Sequence, residues 1–363
     1  IVLGHMSLQV SDNPSLLKKM MSDMEQADKL YKATKYWTYA EKKFLPELYS
    51  RGLHDFRRRK KSVLTYFWAT DLKIKPEIRH RFVKKPFVAF AEALNYIFTR
   101  TDLITPGLSQ INPDEIPPYF YIRVKKKFLS MGWDIRKCGA NRVGNPEDLV
   151  EIEGNLWSMS HLQHCSMIAD AAEFIPFSQK MIYCGLGEGL GRTAEILGQL
   201  YKAATFILID IPPQLYVCNQ YLKKIYSSRV IDYSDSVKLD PKKSGTLERI
   251  KGKIVVLPPW KMPEWQLKIS IFWNSASFQE MEPNVVVNYL NLVKKMNPEW
   301  VYINAIPEGN TSNKTKGNRA TKRPIKDSYY IQTLKDKYIL SQKYETDYFL
   351  RYQPYFSYIF EKK

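Results

Sequence analysis

Four glycines stand at alternate positions in MIYCGLGEGLGRTAEIL: Gly185, Gly187, Gly189 and Gly191. An apolar, strand-like run precedes them and a helix-like run follows. Bare backbone at such a corner permits positive φ and close approach to a ligand. The helix start behind it offers unpaired amides. In doubly wound folds this crevice is where nucleotide-like ligands sit. The next strand-like run ends in Asp210, 25 residues after Gly185, and an acid there can accept two hydrogen bonds from ribose hydroxyls. A dinucleotide fingerprint needs G-x-G-x-x-G. Its last position would be Leu190 counted from Gly185, or Arg192 counted from Gly187, so neither frame fits. G-x-G-x-G leaves a broader loop with no pyrophosphate to seat. It suits S-adenosylmethionine (SAM), whose amino-acid end lies along the glycines, with S-adenosylhomocysteine as the product.

The surrounding pattern says which elements must hold that corner. After residue 178 strand-like and helix-like runs alternate: KMIYCGL, GRTAEILGQLYKA, TFILIDI, PQLYVCNQYLKKIYSS, KIVVLPPW, KISIFWNSASF, NVVVNYLNLVKKM and EWVYINAI. Alternation of this kind predicts a parallel sheet with helices on both faces. The end, YETDYFLRYQPYFSYIFEKK, has two Tyr/Phe-rich runs around a Gln-Pro and predicts an antiparallel pair. The first 150 residues read as mainly helical: residues 13–51 opened by Asn13-Pro14, then 85–100, then 117–134, with Ser160 as a possible cap for HLQHCSMIADAAEFI. Residues 308–323 are polar, basic and rich in Gly and Asn, and read as a mobile loop expected to close over substrate. Residues 1–5 read as a cloning remnant, 6–150 as a helical cap or oligomerisation region, and 151–363 as the SAM-dependent domain.

Composition narrows the classes. Of 363 residues 44% are apolar and 13% aromatic, enough for a full α/β core with an appended module. No run approaches the length of a membrane span and the start lacks a signal-peptide pattern, so the expectation is a cytoplasmic protein. Cys138, Cys165, Cys184 and Cys218 have no metal-ligand spacing and read as buried free thiols. The net charge of +18 fits either an anionic partner or simply solvated faces, and FRRRKKS, from Arg57 to Lys61, is its densest cluster.

Three blocks together, YCGLGEGLGRTAEIL, FILIDIPPQLYVCNQYL and FWNSASFQEMEPNVVVNYL, resemble the signature blocks of the sugar O-methyltransferase family, a branch of the class I SAM-dependent methyltransferases. The resemblance runs from about residue 145 to residue 306, and Asn-Ser-x-Ser-Phe-x-Glu-Met is its most selective block. It implies a Rossmann-like, seven-stranded, mostly parallel α/β sheet with an antiparallel C-terminal strand. It also implies Gly185, Gly187 and Gly189 under the methionine part of SAM, Asp210 on the ribose, and Ile211 and Pro212 near the adenine. Class I enzymes often carry an acid two residues before the first glycine. Tyr183 stands there instead, which suggests an indirect, water-linked hold on the SAM amino group. Arg192 could bind the SAM carboxylate or pair with Glu188.

Methyl transfer to a hydroxyl requires alignment, removal of a proton and exclusion of water. The resemblance implies that Asn274 and Ser275 face the methyl, with Ser277 and Glu280 close behind. Glu280 could be a base, bind a sugar hydroxyl or cap the helix starting at Pro283. Phe278 could stack on a sugar or pack in the core. His161 and His164 are three apart on one expected helix face, and a neutral imidazole near pH 7 is a suitable base. No third ligand is spaced to join them on a metal, and no Asp-Asp pair occurs, so no metal is expected. LPPW (257–260) and PPYF (117–120) lack the Asp or Asn that holds an exocyclic amine in N-methyltransferases; Leu257 and Ile116 stand in that place. The expected substrate is a saccharide, sugar-nucleotide or glycoconjugate, with contact to anionic surfaces and homo-oligomerisation left open. RNA methylation and a non-catalytic methyltransferase-like scaffold are the alternatives.

Overall fold

The computed structural model describes residues 9–58, 116–146, 148–309, 321, 323–346 and 354–363. The helix expected over 85–100 and nearly all of the loop expected over 308–323 lie outside them. Two helices open the chain, α1 (Pro14–Gln26) and α2 (Lys35–Arg51). The first is set by Asn13, whose side chain accepts from the Leu16 amide at 3.0 Å, and by Pro14 in the first helical position. Then come α3 (Ile116–Ser130) and a small antiparallel hairpin, β1 (Val150–Ile152) and β2 (Asn155–Trp157). Helix α4 (Met159–Ala172) is capped by Ser158, which accepts from the His161 amide, so Ser160 is an interior residue and not the expected cap.

The sheet follows: β3 (Ile182–Leu186), α5 (Arg192–Leu200), β4 (Thr205–Ile209), α6 (Gln214–Tyr226), β5 (Val230–Ile231), α7 (Tyr233–Ser236), α8 (Thr246–Ile250), β6 (Ile254–Leu257), β7 (Ile271–Ser275), α9 (Pro283–Met296), β8 (Trp300–Ala305), α10 (Asp327–Leu334), β9 (Tyr338–Thr346) and β10 (Tyr355–Lys362). The strand order is β5-β6-β4-β3-β7-β8-β10-β9. Every pairing is parallel except those of β10, which runs antiparallel to both β8 and β9. Among the described residues the large sheet therefore has eight strands where seven were expected. The extra one, β5, is a two-residue edge strand, too short to show as an apolar run.

Side-chain alternation along the strands divides the core in two. Tyr183, Phe206, Leu208, Val256, Trp273 and Tyr302 point to the face covered by α4, α5 and α6. Cys184, Leu186, Ile207, Val255, Phe272 and Val301 point to the face covered by α9 and α10. The first core also takes in Leu16, Leu17 and Met20 of α1 and Phe44 and Leu48 of α2. The N-terminal helices thus share one apolar core with the sheet.

Candidate functional site

Strand register brings the corner together. Leu186 of β3 pairs with Ile209 of β4 on one side and with Asn274 of β7 on the other. The next residues, Gly187, Asp210 and Ser275, therefore emerge side by side at the carboxyl edge of the sheet. Here β3 is the strand from which the order runs outwards in both directions, the place where open α/β sheets form their ligand crevice.

The glycine loop is tied down on both sides. The Gly187 amide donates to the Ile209 carbonyl at 2.8 Å. The Gly189 amide donates to Asp210 Oδ2 and the Ile211 amide to Asp210 Oδ1, both at 2.8 Å. Asp210 thus sits at the tip of β4 with each oxygen anchored by one main-chain amide and a lone pair left over on each. Burial raises its carboxyl to about 7, against the opposing pull of the two amides. Ile211 and Pro212 follow it directly into the start of α6.

Two of the glycines are required by neighbouring side chains. Gly187 has φ +78°, and a Cβ there would overlap Ser277. At Gly185 a Cβ would overlap the carboxyl group of Glu188. That residue, from within the glycine loop, folds back over the end of β3. Its Oε1 accepts from the Tyr183 hydroxyl at 2.6 Å. Its Oε2 is buried with no hydrogen-bond partner among the described residues. Burial raises this carboxyl too to about 7, with Tyr183 opposing the rise and Asp210 adding to it. Arg192 does not pair with Glu188. It is 2% exposed at the start of α5, and its charge is felt by Cys165 of α4 and Tyr221 of α6.

The loop after β7 behaves differently from the expectation that it faces substrate. Asn274 is buried, donating to the Leu186 carbonyl at 2.9 Å and to Ser277 Oγ at 2.6 Å, while its Oδ1 accepts from the Phe278 amide. Expected among the catalytic and cofactor-binding groups, Asn274 is instead a brace between β3 and the β7 loop. Ser277 is the other half of that brace, wedged against Gly187. Phe278 lies in the apolar core between Phe272 and Tyr330, so it does not stack on a ligand. Two members of the block stay at the cleft. Ser275 is half-buried and donates to the Met167 sulfur of α4 at 3.4 Å. Glu280 is half-buried on a short 3₁₀ turn, and its carbonyl accepts from Thr34 just before α2 at 2.9 Å. The cap of α9 is Glu282, not Glu280.

The two histidines separate. The His161 ring is fully buried, with Nε2 donating to the Cys138 carbonyl at 2.6 Å and the ring against Trp157, so it belongs to the core. His164 is half-buried, and its Nδ1 donates to the Ser160 carbonyl at 2.8 Å. That tautomer makes Nε2 the basic nitrogen of the neutral ring. On the same helix Ser160, Gln163 and Met167 share a stripe by their spacing, and Met167 meets Ser275. Ser160 Oγ and both polar atoms of the Gln163 amide are buried without a partner among the described residues, as is the amide of Gln214 at the start of α6. Sequence reasoning passed over Glu188, Gln163 and Gln214. Their signal, a polar side chain with no local partner beside the glycine loop, exists only in three dimensions. Among the described residues no three His, Cys, Asp or Glu side chains are gathered to hold a metal ion, and no helix is long and apolar enough to cross a membrane.

The chain matches no protein-family model, and no curated protein sequence is significantly similar to it. Solved structures do resemble it. Magnesium protoporphyrin IX methyltransferase (ChlM) from Synechocystis PCC 6803 with bound SAM is 12% identical, covering 67% of this chain and 97% of its own, at a TM-score of 0.39. A SAM-dependent methyltransferase from Aquifex aeolicus is 13% identical over 56% of this chain and 93% of its own, at 0.38. The 1,6-didemethyltoxoflavin-N1-methyltransferase of Burkholderia thailandensis with S-adenosylhomocysteine is 11% identical over 51% and 72%, at 0.32. The fold is a mixed α/β one with a Rossmann-like, mostly parallel sheet and an antiparallel C-terminal strand. In the large sheet β4, β6 and β5 step out from β3 on one side, and the reversed β10 lies between β8 and β9 on the other.

Proposed function

We propose that this protein is a SAM-dependent O-methyltransferase acting on a sugar hydroxyl of a glycan, glycoconjugate or glycosylated natural product. The observation that carries the SAM reading is the corner itself. Asp210 is anchored by two amides at the tip of β4, beside a bare-backbone loop from β3. Buried polar atoms of Glu188, in the same loop, of Gln163 on α4 and of Gln214 at the start of α6 have no partner among the described residues. Leaving such groups unmatched costs about 1–3 kcal/mol each, so a polar ligand that supplies both donors and acceptors fits this chain. Asp210 would hold the ribose hydroxyls, Gly187 and Gly189 would lie along the methionine portion, and Ser160 and Gln163 would offer donors to its carboxylate. When bound, SAM supplies an electrophilic methyl group.

The residues of the cleft supply the rest. Ser275 and Glu280 would stand at the acceptor side, and His164, whose Nδ1 is held by the Ser160 carbonyl, would offer Nε2 from α4. Glu280 and His164 are the candidates for taking the hydroxyl proton, since an alcohol is a poor nucleophile unaided. The sugar specificity is supported by the resemblance of the FWNSASFQEMEP block. Of the basic cluster from Arg57 to Lys61, Arg57 is 2% exposed and donates to the Asn141 and Val143 carbonyls, so its charge serves the fold and adds nothing to an RNA reading.

Calorimetric titration with S-adenosylhomocysteine tests the cofactor reading, and absence of heat and of thermal stabilisation would remove it. Methyl transfer from labelled SAM to saccharide acceptors, run beside RNA, then tests the substrate class. Label appearing in RNA alone would overturn the sugar assignment.

A further inference from the structure

The acid that class I enzymes often carry two residues before the first glycine is Tyr183 in this chain. The structure shows what stands in its place. The Tyr183 hydroxyl reaches along β3 and holds Glu188 Oε1 at 2.6 Å. Thr193 of α5 bonds the same hydroxyl, which fixes its position. The carboxyl group lies in the space left by the absent side chain of Gly185. Glu188 is thereby returned from the loop to the end of β3, close to where an acid on the strand would have pointed.

From this geometry we infer that Glu188 is the ligand for the α-ammonium group of the cofactor, with Tyr183 as its positioning residue. The inference rests on the SAM reading proposed above. Three observations support it. Glu188 Oε2 is buried and has no partner among the described residues, so the group lacks one donor. Among the described residues no basic side chain acts on it: the groups that do are Tyr183 of β3 and Asp210 of β4, and it acts in turn on Cys184 of β3 and Cys218 of α6. Two buried acids with no cation beside them among the described residues make a site complementary to positive charge, and the desolvation that raises the Glu188 carboxyl is offset when a cation arrives. A water-linked hold is not required, because the carboxylate is already in the corner.

The test compares two probes that share the nucleoside and sulfur. S-adenosylhomocysteine has the amino-acid end; 5′-methylthioadenosine lacks it. With wild-type protein, the first is expected to bind more tightly than the second. Glu188→Gln keeps size and shape but loses the charge. It is expected to weaken S-adenosylhomocysteine roughly 10- to 100-fold, the usual effect of losing a charge-assisted hydrogen bond, and to leave methylthioadenosine unchanged. Unchanged methylthioadenosine binding also reports that the variant is folded. Tyr183→Phe is expected to show the same selective loss, smaller in size. Equal loss of both probes, or loss of neither, in Glu188→Gln would overturn the assignment. Wild-type protein that binds neither probe would instead overturn the SAM reading beneath it.

Discussion

At the scale of single residues, the corner is governed by two acids that burial holds near neutrality. Glu188 and Asp210 are both raised to about 7 from ordinary values of 4.5 and 3.8. Between those ordinary values and about 7, the folded chain binds more protons than the unfolded chain. Stability of the ligand-free protein therefore falls as pH rises through that window. Deprotonation over the same range makes the pair better partners for a cation. The melting temperature of the ligand-free protein is expected to fall from about pH 5 to about pH 8, while the added stability from SAM grows. A SAM-induced shift that is flat with pH would contradict this. Gly185 tests the position of the Glu188 carboxyl separately. Its backbone is not left-handed, so an alanine there conflicts with Glu188 alone. Gly185→Ala is expected to destabilise by about 1–3 kcal/mol in the wild type and by much less in a Glu188→Ala background. Simple additivity of the two changes in denaturant melts would place the carboxyl elsewhere.

At the scale of elements, the β7 loop is held by hydrogen bonds that look catalytic in sequence and are architectural in space. Asn274 serves Leu186, Ser277 and Phe278 at once, joining the ends of β3 and β7 beneath the cleft. Asn274→Ala leaves those buried groups unmatched at about 1–3 kcal/mol each. It is expected to lower the melting temperature with or without cofactor. Ser275→Ala, on a half-buried side chain whose hydroxyl donates to the Met167 sulfur, is expected to leave stability nearly unchanged and to act on turnover. Equal melting temperatures for wild type and Asn274→Ala would contradict the brace. The same reasoning explains why this block is so selective as a pattern. Asn, Ser and Phe are each demanded by a contact within the fold, while Ser275 and Glu280 are left to the cleft.

At the scale of the whole molecule, the N-terminal helices are built into the body of the large sheet. The Tyr216 hydroxyl of α6 bonds Asp12 and accepts from the Asn13 amide at 2.7 Å. Gln220 of α6 donates to the Ser11 carbonyl, and the Tyr233 hydroxyl donates to Asp23 of α1 at 2.6 Å. Leu17 is 1% exposed in the core shared with the sheet. Leu17→Ala is expected to cost about 2–5 kcal/mol and to lower one cooperative transition seen equally by near- and far-ultraviolet dichroism. Two separated transitions, with only the first shifted, would show that α1 melts independently. Thr34, bonded to the Glu280 carbonyl, brings the same N-terminal segment to the loop after β7.

The sequence alone determined the alternation of strands and helices, the glycine corner, Asp210 at the tip of its strand and the antiparallel C-terminal pair. Each is written in local chemistry: residue period, backbone freedom and turn composition over a few positions. The tertiary structure decided what those residues meet. It sent His161 into the core while leaving His164 half-buried, turned Asn274 and Ser277 into braces, and buried Arg57. It also brought Glu188 to Tyr183 across the face of Gly185. Contacts of that kind depend on which strands lie side by side and how they are registered, and no spacing along the chain encodes the direction in which a side chain finds its partner.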